Sequence, residues 1–240
     1  MQGVLDVPHV HDVLRGPALT AALRQVGAEV LNRGDEGSIA VTTLHRHFEI
    51  PNGQALLDRV DLTAQEITTE LVTTGEAASH QPVAWGFTPH GDKFVLGWSD
   101  GVPVDPQLEA AVDGAGKFLV REDLTTVLAI VRRQGPLSVG AEQILLEQTD
   151  EAARTQRTTV TRRENVPDEL TAGWYFECDA SLTRGTIRPE DECFDPSDGA
   201  AFFHRHHPRR LFQLLAAALR PWEGKRAVPE FRFATRRPPP

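Results

Sequence analysis

Apolar and polar positions follow two different periods along the chain. Within residues 10–31, Leu19, Leu23 and Val26 recur three or four positions apart, which is the spacing of one helix face. The segments 38–50 and 65–74 are instead rich in β-branched residues, which is typical of strands. The pattern therefore predicts a helix followed by strands.

Further along the chain, pairs of strand-like runs flank polar turns. Such pairs predict two hairpins, at 83–99 and 142–164, followed by a strand at 172–178. Helical spacing predicts helices at 105–113, 123–133 and 209–219, and many Asp, Pro and Gly residues predict a long loop at 179–200.

This order of elements does not alternate strand and helix, and hairpins dominate it. We therefore expect an α+β fold with a mainly antiparallel sheet built from hairpins and helices packed on one side. No repeat occurs at a solenoid or propeller period. The expected organisation is a single domain over residues 1–235, with an extended or disordered Pro-rich tail at 236–240.

Composition indicates an ordinary acidic globular protein. The 240 residues carry a net charge of −9, with 40% hydrophobic and 25% charged residues. No apolar run approaches the roughly 20 residues of a membrane helix, and the first residues lack the features of a signal peptide. We expect a soluble, cytoplasmic protein with no membrane partner. Only three of the 25 basic residues are lysines, which indicates a high-GC, bacterial genome.

Charge is unevenly distributed. Residues 201–240 hold nine basic and two acidic side chains, a balance of +7, so the first 200 residues carry −16. Three interpretations of the basic end are open: it docks on the acidic body, it binds an anionic ligand or it contacts nucleic acid. We expect no nucleic-acid partner, because the sequence contains no recognition motif and the acidic body repels phosphate.

Histidine is the unusual feature of the composition. Six of the nine histidines form three His-x-His patterns, at His9/His11, His45/His47 and His204/His206. On a strand, residues i and i+2 share a face, so His45 and His47 are expected to project together and offer two nitrogen ligands to one metal ion. Glu49 continues the same row and adds a carboxylate.

A complete metal site needs ligands from elsewhere in the chain. His204, His206 and Cys178 are the candidates, because they lie together on the C-terminal side. The predicted cofactor is a divalent metal (Zn, Fe or Cu) that acts as a Lewis acid or redox centre. The first hypothesis is thus a metal-binding protein. In its more specific form, the protein is a metal-dependent enzyme of bacterial specialised metabolism that binds a small-molecule ligand.

The histidine pair and the cysteines also have interpretations that involve no metal. A His-x-His pair at a strand end also occurs simply hydrated, and Cys178 and Cys193 form no CxxC motif. Gly-x-Ser-x-Gly, Gly-x-Gly-x-x-Gly and Walker A motifs are absent from the sequence. The second hypothesis is a non-enzymatic interaction or regulatory domain whose Arg-rich C-terminus, including residues 221–240, binds a partner or an anionic ligand. Oligomeric state and substrate do not follow from the sequence.

Overall fold

The fold was analysed in a computed structural model. The structure describes residues 7, 17–133, 135–140, 143–165, 170–176, 184–189 and 200–205. All of them belong to the first of two units into which the chain divides, Met1–His206, whereas the second unit, His207–Pro240, lies outside the described residues. The predicted helix at 209–219 and the predicted tail lie outside them as well.

The described elements are three helices, ten strands and one 3₁₀ turn at Arg163–Asn165. The helices are α1 (Pro17–Arg33), α2 (Thr74–Ala77) and α3 (Leu108–Arg121). The strands are β1 (Ile39–Thr43), β2 (Gln54–Asp61), β3 (Glu66–Thr73), β4 (Gln81–Phe87), β5 (Lys93–Ser99), β6 (Leu128–Arg132), β7 (Gln143–Asp150), β8 (Thr155–Arg162), β9 (Leu170–Trp174) and β10 (Ala200–Arg205).

The ten described strands form one mixed sheet that curls into a closed barrel. Their order is β1–β6–β4–β5–β2–β3–β8–β7–β10–β9, and β9 pairs again with β1. Strands β2 and β5 run parallel, as do β7 and β10. The expected mainly antiparallel sheet of hairpins under one helical layer is therefore wrong. Hairpins do form, but parallel pairings join their ends and the sheet curls until its edges meet.

Two helices cover the part of the barrel made by β1, β6, β4 and β9. The core there includes Leu23 and Val26 of α1, Leu119 of α3, and Ile39 and Ile130 of the strands, all at most 1% exposed. A second apolar cluster lies under α2, where Leu57 and Val72 pack with Trp98. These clusters follow from alternation along each strand, which sends every second side chain to the helical layer.

Three sequence predictions of local structure need correction. The predicted helix at 123–133 is a turn followed by β6, because the run of apolar residues from Leu128 to Val131 lies at the centre of the sheet. The strand predicted at 38–50 ends at Thr43. The segment 200–205, for which the sequence predicts no strand between the loop at 179–200 and the helix at 209–219, pairs as β10.

Among the described helices, none combines the length and the apolar character that a membrane span requires. The longest is α1, with 17 residues and buried apolar positions on one stripe only.

Candidate functional site

The segment that carries His45 and His47 is a loop held at both ends. It begins where the Leu44 amide donates to the Val127 carbonyl at 2.8 Å, which carries the chain off the end of β1. Leu44 and Phe48 are buried, 6% and 9% exposed, so the apolar side chains of the loop pin it against the barrel. The histidines between them are thereby held in fixed positions.

The two imidazole rings meet edge to face. Their Nε2 atoms are 3.2 Å apart, with ring centroids at 4.9 Å and an interplanar angle of 80°. Two nitrogens bound to one tetrahedral zinc ion, with Zn–N bonds of about 2.0 Å, lie about 3.3 Å apart. The paired Nε2 atoms therefore have the separation of two ligands of one ion.

The outer nitrogens of both rings have protein partners. His45 Nδ1 lies 2.7 Å from the Thr43 carbonyl oxygen and 3.1 Å from Thr43 Oγ1, and His47 Nδ1 lies 3.0 Å from Thr149 Oγ1. Because a carbonyl oxygen only accepts, His45 Nδ1 is the donor and Nε2 of the neutral ring carries the lone pair. This fixes the orientation that a metal-binding histidine requires.

A carboxylate stands beside the pair. Glu147 Oε2 is 4.0 Å from His47 Nε2, and both side chains are mostly buried, 16% and 10% exposed. Glu147 and Thr149 are two residues apart on β7, so they share a face of the sheet toward His47. One strand thus supplies both the hydroxyl and the carboxylate that His47 meets.

A second carboxyl group, Asp58 of β2, faces the same region. Burial raises the pKa of Asp58 to about 6, partly opposed by the hydrogen bond from Thr69, and the charges of Glu147 and Asp100 raise it further. Thr69 Oγ1 donates to Asp58 Oδ1 at 2.6 Å. Asp58 is therefore a buried acid that loses its proton close to neutral pH.

The structure brings together some of the predicted ligands and not others. His45 and His47 meet, although in a loop rather than on a strand. Glu49 does not join them: its side chain is 83% exposed and lies 3.9 Å from Arg46 Nη1. The expected His-His-Glu row fails because β1 ends before it, so the alternation of a strand no longer applies.

The other predicted ligands come from the C-terminal side. The backbone of His204 lies on β10, where it is the register partner of Glu147 on β7. His206 and Cys178 lie outside the described residues. Within the part of the chain that the structure describes, no group of three or more His, Cys, Asp or Glu is arranged to hold a metal ion.

Sequence reasoning missed Glu147, Thr149 and Asp58. A signal for the two acids does exist: each follows a pair of leucines inside a strand, in QALLDRVD and QILLEQTD. An acid in a half-buried strand is uncommon and marks a position with special chemistry.

Comparison with known proteins gives no relative of this chain. No family model matches it, and neither does any curated protein or any solved structure. The function of the chain is accordingly inferred from the geometry of the His45–His47 site.

Proposed function

We propose that the chain binds one divalent transition-metal ion through His45 and His47. The observation that carries this proposal is the 3.2 Å separation of the two Nε2 atoms, with both outer nitrogens hydrogen-bonded to the protein. Imidazole nitrogen suits Zn, Cu, Fe and Ni. Because His45 Nδ1 donates to a carbonyl, His45 Nε2 accepts and His47 Nε2 donates across the 3.2 Å contact, so uptake of an ion requires His47 to carry its proton on Nδ1, where Thr149 Oγ1 accepts it.

Glu147 is the proposed third ligand or the partner of a metal-bound water. Its Oε2 lies 4.0 Å from His47 Nε2, at a mostly buried position. His204 is the proposed fourth contributor, on the ground that its backbone is paired with that of Glu147. The proposed ligands therefore differ from those expected from the sequence in one carboxylate: Glu147 takes the place of Glu49, and His204 is retained.

An open ligand position on the ion would make the site a Lewis acid for a small-molecule substrate. The enzymatic form of the proposal, the cytoplasmic location and the choice among Zn, Fe and Cu stay predictions from composition and residue type. The Arg-rich segment 221–240 lies outside the described residues, so partner binding through that segment also stays a sequence prediction.

The test is calorimetric titration of the full chain, without a purification tag, with Zn²⁺ and with Co²⁺. We expect one tight equivalent, and His45→Ala/His47→Ala should weaken it at least tenfold, since loss even of supporting residues costs about 10–100-fold in affinity. His90→Ala is the matched control, because His90 lies exposed in the β4–β5 turn. Equal affinity in wild type and double variant would end the proposal.

Glu147→Gln separates the carboxylate from the imidazoles. The amide keeps the size of the side chain but is a poor metal ligand, so affinity should fall while the Nε2 pair stays intact. Circular dichroism and thermal melting of each variant show whether a lost equivalent reflects lost ligands or a lost fold.

A further inference from the structure

The described part of the barrel consists of two equivalent halves. Each runs helix, then five strands: α1 with β1–β5 in the first half, and α3 with β6–β10 in the second, with α2 as an addition to the first. The pairings repeat as well. Hairpins β2–β3 and β7–β8 correspond, so do the parallel pairs β2–β5 and β7–β10, and so do β4–β6 and β9–β1.

From the helices to β4 and β9 the equivalence holds residue by residue at an offset of 89 positions, whereas β10 lies 16 positions later in the chain than that offset from β5 predicts. Strand β2 (Gln54–Asp61) corresponds to β7 (Gln143–Asp150), and both hairpin loops have four residues. Each loop ends in a non-glycine residue of left-handed conformation, Gln65 and Arg154, both with φ 54°. Such residues are uncommon, so a matched pair indicates the same backbone path.

Two hydrogen bonds between the halves are related to each other by the same offset. The Leu44 amide donates to the Val127 carbonyl at 2.8 Å, and the Arg133 amide donates to the Ser38 carbonyl at 3.0 Å. Exchanging the halves turns one bond into the other. A local twofold axis therefore relates them.

The positions of that axis can be read from the strand registers. Val41 pairs with Ile130 between β1 and β6, and Thr68 pairs with Arg157 between β3 and β8. Each pair joins a residue to its own equivalent, so the axis passes through both pairings.

Side chains of the core are repeated too. Trp85 and Trp174 are 2% and 3% exposed, and Phe87 and Phe176 are 5% and 0% exposed, each pair 89 positions apart. The glycines that face these phenylalanines are equivalent as well: a Cβ at Gly27 would lie 2.7 Å from the Phe176 ring, and one at Gly116 would lie 2.1 Å from the Phe87 ring. Each helix thus packs against the other half by the same contact.

The offset locates an equivalent of the histidine loop. Arg133 and residues 135–137 correspond to Leu44 and residues 46–48, and Leu137, 8% exposed, takes the buried place of Phe48. Both segments end with the same turn, in which Gln54 N donates to Pro51 O at 3.1 Å and Gln143 N donates to Gly140 O at 2.9 Å. In the sequence, Gln134 and Pro136 stand at the positions of His45 and His47.

The carboxylates of the two loops are also equivalent. Asp58 corresponds to Glu147, and each is paired across its hairpin with a buried threonine, Thr69 and Thr158. Leu137 packs in one cluster with Val60, the equivalent of Thr149, which is the residue that His47 contacts. The second half therefore has equivalents of the residues around the histidine site, but other residues stand at the positions of the two histidines.

We propose that the chain is a tandem duplication of one unit of a helix and five strands, and that the segment 135–137, preceded in the sequence by Gln134 and with Asp58 as the carboxylate equivalent to Glu147, is a second, histidine-free copy of the metal site. The second part rests on the proposed function; the duplication does not. It follows that one chain takes one ion, and that the second copy becomes a binding site when its histidines are supplied.

The duplication is tested by proline tolerance in the full chain, without any metal. Because Pro136 is accepted at the position equivalent to His47, His47→Pro should leave a cooperative melt within a few degrees of the wild type. Arg46→Pro is the matched control: Arg46 pairs in a β-bridge and its equivalent is Gly135, so it should melt far lower. If His47→Pro unfolds the chain as fully as Arg46→Pro, the two loops are not equivalent and the duplication is wrong.

The second copy is tested by Gln134→His/Pro136→His. Titration with Co²⁺ should give two equivalents of affinities within about tenfold of each other, against one for the wild type. Glu151→His/Ala153→His places the same spacing in the exposed β7–β8 loop and should add no equivalent of that affinity. A folded Gln134→His/Pro136→His chain that binds a single ion overturns the second copy.

The outcomes separate the two proposals. A wild type that binds no ion defeats the proposed function and, with it, the second copy, while His47→Pro still decides the duplication. Should Gln134→His/Pro136→His fail to fold, Pro136→His alone is examined by NMR. Contacts between the introduced imidazole and the Val60 methyl groups support the equivalent location, and their absence contradicts it.

Discussion

Single residues in the barrel show how burial sets chemistry. Glu147 lies beside His47, which also contacts Thr149, whereas the equivalent carboxyl, Asp58, accepts from the Thr69 hydroxyl and has two like charges nearby. Removal from water disfavours the charged form of Asp58, and this is the main cause of its raised pKa. The two equivalent carboxylates have thus diverged in environment as well as in size.

Asp58 makes the stability of the chain depend on pH. Its pKa is about 6 in the folded protein against 3.8 for the free side chain, so the folded state holds the proton more tightly. Stability from this group is complete below pH 3.8 and is lost as the pH rises to about 6. Asp58→Asn, which still accepts from Thr69, should therefore stabilise the chain at pH 8 by about 1–3 kcal/mol and change it little at pH 4.

Denaturant melts at pH 4 and pH 8 measure this effect. Glu49→Gln is the control, because Glu49 is 83% exposed and its neutralisation should shift neither melt by more than a few tenths of a kcal/mol, roughly the value of an exposed pair. A stabilisation by Asp58→Asn that is equal at both pH values would contradict the assignment of a buried, raised pKa.

At this scale the sequence predicted the histidine pair but for a reason that does not hold. Alternation on a strand was expected to align His45, His47 and Glu49, whereas β1 ends at Thr43 and the loop brings the rings together instead. The contact with Glu147 crosses 100 positions of sequence and depends on the pairing of distant strands. Local periodicity carries no information of that kind.

Helix α3 packs against strand β4 through a close contact between helix backbone and an aromatic ring. At Gly116 the helix α3 lies against Phe87 so closely that a Cβ would be 2.1 Å from Cε1 of the ring. A helix interior normally favours alanine over glycine by about 1 kcal/mol, so glycine here reflects packing and not helix propensity.

Gly116→Ala should consequently destabilise the fold in spite of its better helix propensity. Overpacking of a tight core costs about 1–3 kcal/mol, since Phe87 or the helix has to move. Thermal melts should show a lower midpoint than for the wild type. The control is Gly75→Ala in α2, where nothing lies within 4 Å of a Cβ, and its melt should be unchanged or slightly higher. Equal melts of the two variants would show that α3 is free to shift.

The C-terminal end of α1 is tied to a distant segment through Asn32. Its amide donates to the Ile187 carbonyl at 2.8 Å, and its carbonyl accepts from the Gly185 and Ile187 amides at 2.9 Å each. Arg184 and Glu36 form an ion pair beside these bonds. The Asn32 side chain thereby hydrogen-bonds backbone groups of the segment 184–189, which belongs to no strand.

Asn32→Ala should detach that segment. The loss of these hydrogen bonds at a partly buried site is expected to cost about 1–3 kcal/mol, because the amides of Gly185 and Ile187 lose their acceptor. Proteolysis near residues 184–189 should quicken. Gln25→Ala, on the exposed side of the same helix, tests helix effects alone and should leave both the melt and the cleavage rate as they are.

Over the whole molecule, the sequence predicted the hairpins better than the barrel. Runs such as 83–99 carry local turn signals, and their strands formed where expected as β4 and β5. The parallel pairs β2–β5 and β7–β10, which turn hairpins into a closed sheet, leave no local signal. Strand β2 escaped prediction because QALLDRVD holds a single β-branched residue.

The repeat of 89 positions also escaped a search for solenoid and propeller periods. Its clearest traces are QALLDRVD against QILLEQTD and Trp85 against Trp174, and they are too few to stand out without the strand order. The structure makes them significant, because equivalent residues take the same partners in both halves. The chain is thus a barrel of two equivalent halves, of which only the first carries a histidine pair in this loop.

The most direct test of this picture is a crystal structure of the full chain soaked in Zn²⁺, with anomalous scattering recorded at the zinc edge. We expect one strong peak within bonding distance, about 2.0–2.1 Å, of Nε2 of both His45 and His47, and none beside the equivalent loop at 135–137. No peak between the two rings, or a single peak elsewhere on the chain, would contradict it.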